Sequence, residues 1–110
     1  MGVMRMNKNC YDDTLDHLVV AFCRDYFRRE DVIRDGRCTK RTRMECEYVN
    51  RRIADAVRDV VGDKYEIYIK EIGYYIGYAD SEIDDVSEST YKIRKAEVKT
   101  SIAKKLHLLD

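Results

Sequence analysis

Three lysines, Lys92, Lys95 and Lys99, stand at i, i+3 and i+7, the spacing that gathers side chains on one face of a helix, with Arg94 at the edge of the row. Ammonium groups so arranged on an exposed face neutralise phosphates, and the hydroxyls of Ser87, Ser89 and Thr90 just upstream suit contacts to a nucleic-acid backbone or to base edges. A solvated surface would look the same, because cations also favour the C-terminal half of a helix. A second basic block holds Arg37, Lys40, Arg41, Arg43, Arg51, Arg52 and Arg58, so residues 37–58 carry 7 basic and 3 acidic groups. Forked arginine donors fit phosphate, which makes Arg41 and Arg43 further candidates for DNA contact. They pair equally well with carboxylates, and Asp25, Glu30, Asp31 and Asp35 are at hand for a cross-helix ion-pair lattice.

Tyrosine is the other unusual residue type. The chain has 9, of which Tyr65, Tyr68, Tyr74, Tyr75 and Tyr78 fall in one short stretch. Each offers a large rigid ring with a polar tip, so such a cluster either completes a small core or forms a protein interface. Tyr68, Tyr74, Tyr75 and Tyr78 are the interface candidates, and they make a homodimer the natural partner arrangement. Gly73 and Gly77 permit a close approach between helices nearby.

Little points to catalysis. The only histidines are His17 and His107, neither placed in sequence beside a carboxylate–thiol pair, so a general base is scarce and no enzyme is expected. Cys10, Cys23, Cys38 and Cys46 show no C-x-x-C pairing; reduced thiols are expected, with no metal, no cofactor and no small-molecule substrate. No apolar run approaches the roughly 20 residues that span a bilayer, and the first residues lack a secretory signal, so a cytoplasmic location and no membrane partner are expected.

The run Val86-Ser87-Glu88-Ser89-Thr90-Tyr91-Lys92-Ile93-Arg94-Lys95-Ala96-Glu97-Val98, continuing to Ile102-Ala103-Lys104-Lys105-Leu106, resembles the recognition helix of phage late-gene regulators of the ArpU and RinA type. It is also similar to the C-terminal helix-turn-helix of sigma factors. The likeness covers about a fifth of the chain. It implies a small DNA-binding transcriptional regulator of phage or mobile-element type, with double-stranded DNA as partner. Ser87, Ser89, Thr90, Lys92, Arg94 and Lys95 would then face DNA, while Tyr91, Val98 and Ile102 would pack. The alternative is a non-enzymatic interaction or assembly module built on the tyrosines.

These residues need a scaffold, and composition indicates which kind. There is no proline and there are only 5 glycines in 110 residues, which favours long uninterrupted helices; 45% hydrophobic residues suffice for one core. Net charge is zero, from 21 basic and 21 acidic groups, so any attraction to phosphate is local rather than global. Residues 77–90 carry five acids and no base, and the following helix is basic.

The expected fold is one all-α domain over residues 11–110 behind a disordered leader at 1–10. It has about four helices, two long and antiparallel and two shorter ones packing across them. The first runs Thr14–Asp35 with Leu15, Leu18, Val19, Phe22, Tyr26 and Ile33 inward, started by Asp12, Asp13 or Thr14 and ended by Gly36. The second begins near Thr39 or Thr42, where Thr42 and Glu45 have capping-box spacing, and reaches Val61 with Cys46, Val49, Ile53, Ala56, Val57 and Val60 inward. The third spans Lys64–Ile76 with Tyr65, Ile69, Ile72 and Ile76 on one face. After an acidic loop, Ser87 caps a last helix to about His107, with Tyr91, Val98, Ile102, Leu106 and Leu109 inward.

Overall fold

The ends of the helices are set by short polar side chains and by backbone that turns left-handed. In a computed structural model, which describes residues 10–110, α1 covers Asp13–Asp35 and α2 covers Lys40–Val61. A single 3-10 turn at Gly62–Lys64 leads into α3, Tyr65–Gly73, and another at Tyr78–Asp80 precedes α4, Glu88–Lys105. The carboxylate of Asp12 accepts the Leu15 amide at 2.9 Å to open α1, and Gly36 closes it at φ 69°. Thr39, rather than the Thr42–Glu45 pair, opens α2 by accepting the Thr42 amide; Glu45 is engaged with Arg41 instead. Ser87 opens α4 in the same way by accepting from the Thr90 amide.

Helices α3 and α4 end in one motif. The Ile76 amide reaches back to the Glu71 carbonyl at 2.9 Å and that of Leu108 to Ala103 at 2.8 Å, while Tyr75 and His107 donate to Ile72 and Lys104. This paired closure requires a left-handed residue, usually glycine, at its corner. Here the corners are Tyr75 at φ 56° and His107 at φ 60°. The closure explains why α3 stops at Gly73 and not at Ile76.

One core unites the pieces. Leu15, Val19 and Cys23 of α1, Ile53 and Val57 of α2, Tyr68, Ile69 and Ile72 of α3, and Tyr91, Val98 and Ile102 of α4 are buried in a single cluster. Ile83 from the connecting segment and Leu109 from the tail join it. The described residues therefore form one all-helical globule, without a strand and without a helix long and apolar enough to cross a membrane. The proposed leader, apart from Cys10, lies outside the described residues.

The inward stripes of α2 and α4 are buried as expected, through Cys46, Ile53, Ala56 and Val57 and through Tyr91, Val98 and Ile102, whereas those of α1 and α3 are rotated slightly. In α1 the buried face runs through Val20, Cys23 and Arg29, and Leu18 is 37% exposed. In α3 Tyr68 replaces Tyr65 at the centre of the core. Arg29 explains the first shift. Its guanidinium, 6% exposed, donates to Asn50 Oδ1 at 2.6 Å, Asp25 Oδ2 at 2.9 Å and the Phe22 carbonyl at 2.6 Å, while Asn50 donates to the Tyr26 carbonyl and Glu30. A buried charge is tolerated only when its donors are matched in this way, and the match fixes how α1 and α2 face each other.

The acidic connection is not a free loop. Glu71, 1% exposed, accepts hydrogen bonds from Ser81 Oγ at 2.6 Å, the Glu82 amide at 2.8 Å and the Tyr91 hydroxyl at 2.7 Å. Ser81 Oγ in turn accepts the Ile83 amide, and Ile83 drops into the core. Outside this anchor, Asp85 pairs with Lys64 and Glu82 with Lys70.

Candidate docking surface at the end of α3

Gly73 touches the backbone of α1. A Cβ placed on it would sit 2.7 Å from the Arg24 nitrogen and 2.8 Å from its Cα, so only glycine allows α3 this close. Gly77, by contrast, has open space around it. The approach brings the Gly73 carbonyl to Arg24 Nε at 2.8 Å. Arg24 also lies beneath both rings that follow, 5.4 Å from the Tyr74 centroid and 5.7 Å from that of Tyr75. Beside Tyr75 is a shallow hollow of about 310 Å³ lined by His17, Val20, Ala21, Arg24 and Asp25.

Tyr74 is 51% exposed and Tyr75 64%. Arg24 has no carboxylate partner among the described residues, whereas its neighbour Asp25 is held by Arg28 and Arg29. That pairing keeps the Asp25 carboxyl below the usual range, chiefly through the hydrogen bond from Arg28. The result is an aromatic–arginine–aromatic platform fixed by two elements and turned to solvent. Aromatics and arginine carry most binding energy at protein interfaces, and rigidity reduces the entropy lost on docking.

The other tyrosine candidates sit elsewhere. Tyr68 is 1% exposed and packs 5.9 Å from the Tyr91 ring, so it belongs to the core and not to an interface. Its hydroxyl finds no hydrogen-bond partner among the described residues. Tyr78 is half-buried, its hydroxyl donating to the Val86 carbonyl at 2.9 Å, and it serves to hold the connection before α4.

The structure separates the basic candidates. Lys92 reaches Glu88 at 3.4 Å, Lys99 pairs with Asp16 of α1 at 3.0 Å, and Lys95 donates to the Ile76 carbonyl at 2.8 Å. The expected fully exposed lysine row is thus corrected. Lys95 turns toward the segment that follows α3 and Lys99 toward α1, while α4 as a whole packs mainly on α2. Ser87, Ser89 and Thr90 bond to one another at the helix start. Arg94 is half-buried on α4.

Arg41 and Arg43 lie on the first turns of α2 and share no contact with the lysines. Each reaches a carboxylate on its own helix, Glu45 and Glu47. In place of the expected lattice across α1 and α2 the pairs are mostly within one helix, including Arg28–Asp25 and Arg58–Asp55, while Arg37 of the intervening turn reaches the expected Asp35 at 3.4 Å. No group of three or more metal-ligating side chains is present among the described residues, and all four cysteines are free thiols.

No protein-family model, curated protein or solved structure matches this chain. The geometry therefore stands by itself. Sequence reasoning missed Arg24, Glu71, and the exposed Met44 and Tyr48 of α2, where Arg52 stacks on the Tyr48 ring at 4.8 Å. The Arg24 signal was present as Gly73, since a glycine inside a helical pattern marks a close backbone neighbour.

Proposed function

We propose that this chain is a non-enzymatic interaction module that pairs with a second copy of itself through Tyr74, Arg24 and Tyr75. The observation that carries this reading is the pair of exposed rings held over one guanidinium that lacks a carboxylate partner. A left-handed tyrosine costs about 1 kcal/mol relative to glycine, and the fold keeps it where the ring is displayed. Tyrosine and arginine complement each other, so the patch is self-complementary about a two-fold axis, as an isologous dimer needs. Leu18 and Ala21 continue the apolar surface along α1. Sedimentation equilibrium over a wide concentration range tests it. A dimer that weakens at least tenfold in Tyr74→Ser/Tyr75→Ser is expected; a monomer at every concentration, or a dimer indifferent to these changes, overturns it.

A DNA-binding regulator of phage type is the second reading, supported by the exposed cations at the α1–α2 turn. Arg41 there is 90% exposed and Arg43 56%, with Lys40 beside them and no acid in the first turn of α2. The inward course of Lys95 and Lys99 and the 14 residues between α3 and α4 count against α4 as its recognition helix. A helix-turn-helix joins its helices by roughly three or four residues. Titration with random-sequence duplex at two salt concentrations decides: salt-sensitive binding lost in Arg41→Gln/Arg43→Gln supports this reading, and no binding at low salt removes it.

A further inference from the structure

Between α1, α2 and the start of α3 a buried tyrosine ends in an unused hydroxyl. Tyr26 is 5% exposed; its carbonyl accepts from Asn50, but its hydroxyl bonds to no group among the described residues. That oxygen is not sealed in the core as the Tyr68 hydroxyl is, and the residue lines a hollow of about 580 Å³. A tyrosine buried to its tip normally spends its hydroxyl on a partner, so one left open at a cavity marks a place for a ligand atom.

The charges around the hollow do not cancel. Of its carboxylates, Asp31 pairs with Arg34, Glu47 with Arg43 and Asp55 with Arg58. Glu30 and Glu66 have no cationic partner among the described residues. Glu30 accepts from the neutral Asn50 amide at 3.0 Å and Glu66 from the Tyr65 hydroxyl at 3.0 Å, each through Oε1, which leaves Oε2 of both for another donor. Exposed Arg51 is the one lining guanidinium without a carboxylate, so two uncompensated carboxylates stand against one uncompensated cation. Both carboxylates are felt at the open hydroxyl: burial first, then Glu30, Tyr65 and Glu66, raise Tyr26 above the ordinary phenol range. The group stays a neutral hydroxyl, able to accept as well as donate. Phe27, edge-on to the Tyr26 ring at 5.1 Å, and Ile33 add apolar wall.

We infer that this hollow binds a small organic cation, an ammonium or guanidinium on a short apolar stem. Glu30 and Glu66 supply its counter-charge, the Tyr26 hydroxyl accepts one of its N–H groups, and Phe27 and Ile33 pack on the stem. A bare divalent metal suits the site less well, because no three metal-ligating side chains gather among the described residues. The lining shares no residue with the Tyr74–Arg24–Tyr75 platform, so the two stand or fall independently.

The test is amide NMR of the full chain titrated with 1,4-diaminobutane, against potassium chloride at matched ionic strength. Saturable shifts confined to residues 26–34, 47–58 and 65–66 are expected. Glu30→Gln, which keeps an acceptor for Asn50 while removing the charge, should weaken binding about tenfold, and Tyr26→Phe about threefold with an unchanged thermal midpoint. Glu97→Gln, on exposed surface of α4, should leave binding as it is. Should Glu30→Gln fail to fold, Tyr26→Phe carries the test, because it deletes a group that bonds to nothing in the fold. A blocked lysine peptide in a parallel titration separates the two sources of the cation: tighter binding than the diamine assigns the site to a basic side chain of a partner, and weaker binding assigns it to a free amine. No shifts, shifts that potassium chloride reproduces or that never saturate, or binding indifferent to Glu30→Gln and Tyr26→Phe overturn the proposal.

Discussion

A carboxylate sealed from water must be matched by donors, and at Glu71 the match comes from the acidic connection itself. Its three donors lie on Ser81, Glu82 and Tyr91; removing the carboxylate takes the acceptor from the part-buried Ser81 hydroxyl and Glu82 amide and leaves the Tyr91 hydroxyl only the Ile76 carbonyl at 3.1 Å. Glu71→Ala should destabilise the fold by about 3 kcal/mol in urea unfolding, with faster hydrogen exchange at the Glu82 amide. A loss under about 0.5 kcal/mol would show that the connection is held by other contacts. Glu71 was not legible in the sequence, where a glutamate in a helix reads as surface; its partners lie 10 to 20 positions away. Cys23 gives a second residue-scale outcome. It is fully buried, which pushes its thiol up to about 12, the nearby Arg29 charge lowering it less. The folded pKa is raised, so this contribution to stability is complete below the ordinary thiol range near roughly 8.5 and is lost as pH rises toward 12. Burial likewise raises Tyr11, Tyr26 and Tyr91, which adds to the alkaline loss. Cys23→Ala should flatten the fall in stability between pH 9 and 11, and a thiol reagent should label exposed Cys10 and half-buried Cys38 well before Cys23 and Cys46.

Helix ends account for much of what the sequence did reveal. Asp12, Thr39, Ser87, Gly36 and Gly62 each sit at a boundary that side-chain capping or left-handed backbone demands, and local chemistry is enough to place them. The facing of α1 and α3 was less legible than that of α2 and α4. Leu18 and Leu15 are equally apolar, and only the Arg29–Asn50 network across α1 and α2 decides that Cys23 faces inward. The α3 terminus was hidden for a related reason, since its corner residue is tyrosine where glycine would have announced it. His107→Gly should therefore stabilise the fold by about 0.5–1 kcal/mol, because glycine occupies left-handed backbone without penalty. A lower thermal midpoint would mean that the imidazole contributes more than its strain removes. Gly73→Ala acts in the opposite direction: its methyl would meet the Arg24 backbone, so α3 must lift from α1 at about 2–3 kcal/mol. The same variant should loosen the Arg24 contact and weaken self-association along with stability.

At the scale of the molecule, a chain with no net charge sorts its charges by position. Among the described residues Arg28, Arg29, Arg34, Arg41, Arg43 and Arg58 pair within their own helix, Glu82 and Asp85 of the connection pair with Lys70 and Lys64, and Lys99 of α4 pairs with Asp16 of α1. The all-helical class and the single core were readable from helical periodicity and from the lack of proline. Which charged face remains available was not, because that depends on how α4 packs against the other helices. Tyr74 and Tyr75 stay turned outward over Arg24, and the proposed function rests on their docking against a second copy. Isotope-filtered NMR on an equimolar mixture of labelled and unlabelled chain reads this contact directly. Intermolecular cross-peaks from the Tyr74 and Tyr75 rings to protons of Arg24, Ala21 and Leu18 are predicted; cross-peaks confined to another face, or none at millimolar concentration, would contradict it.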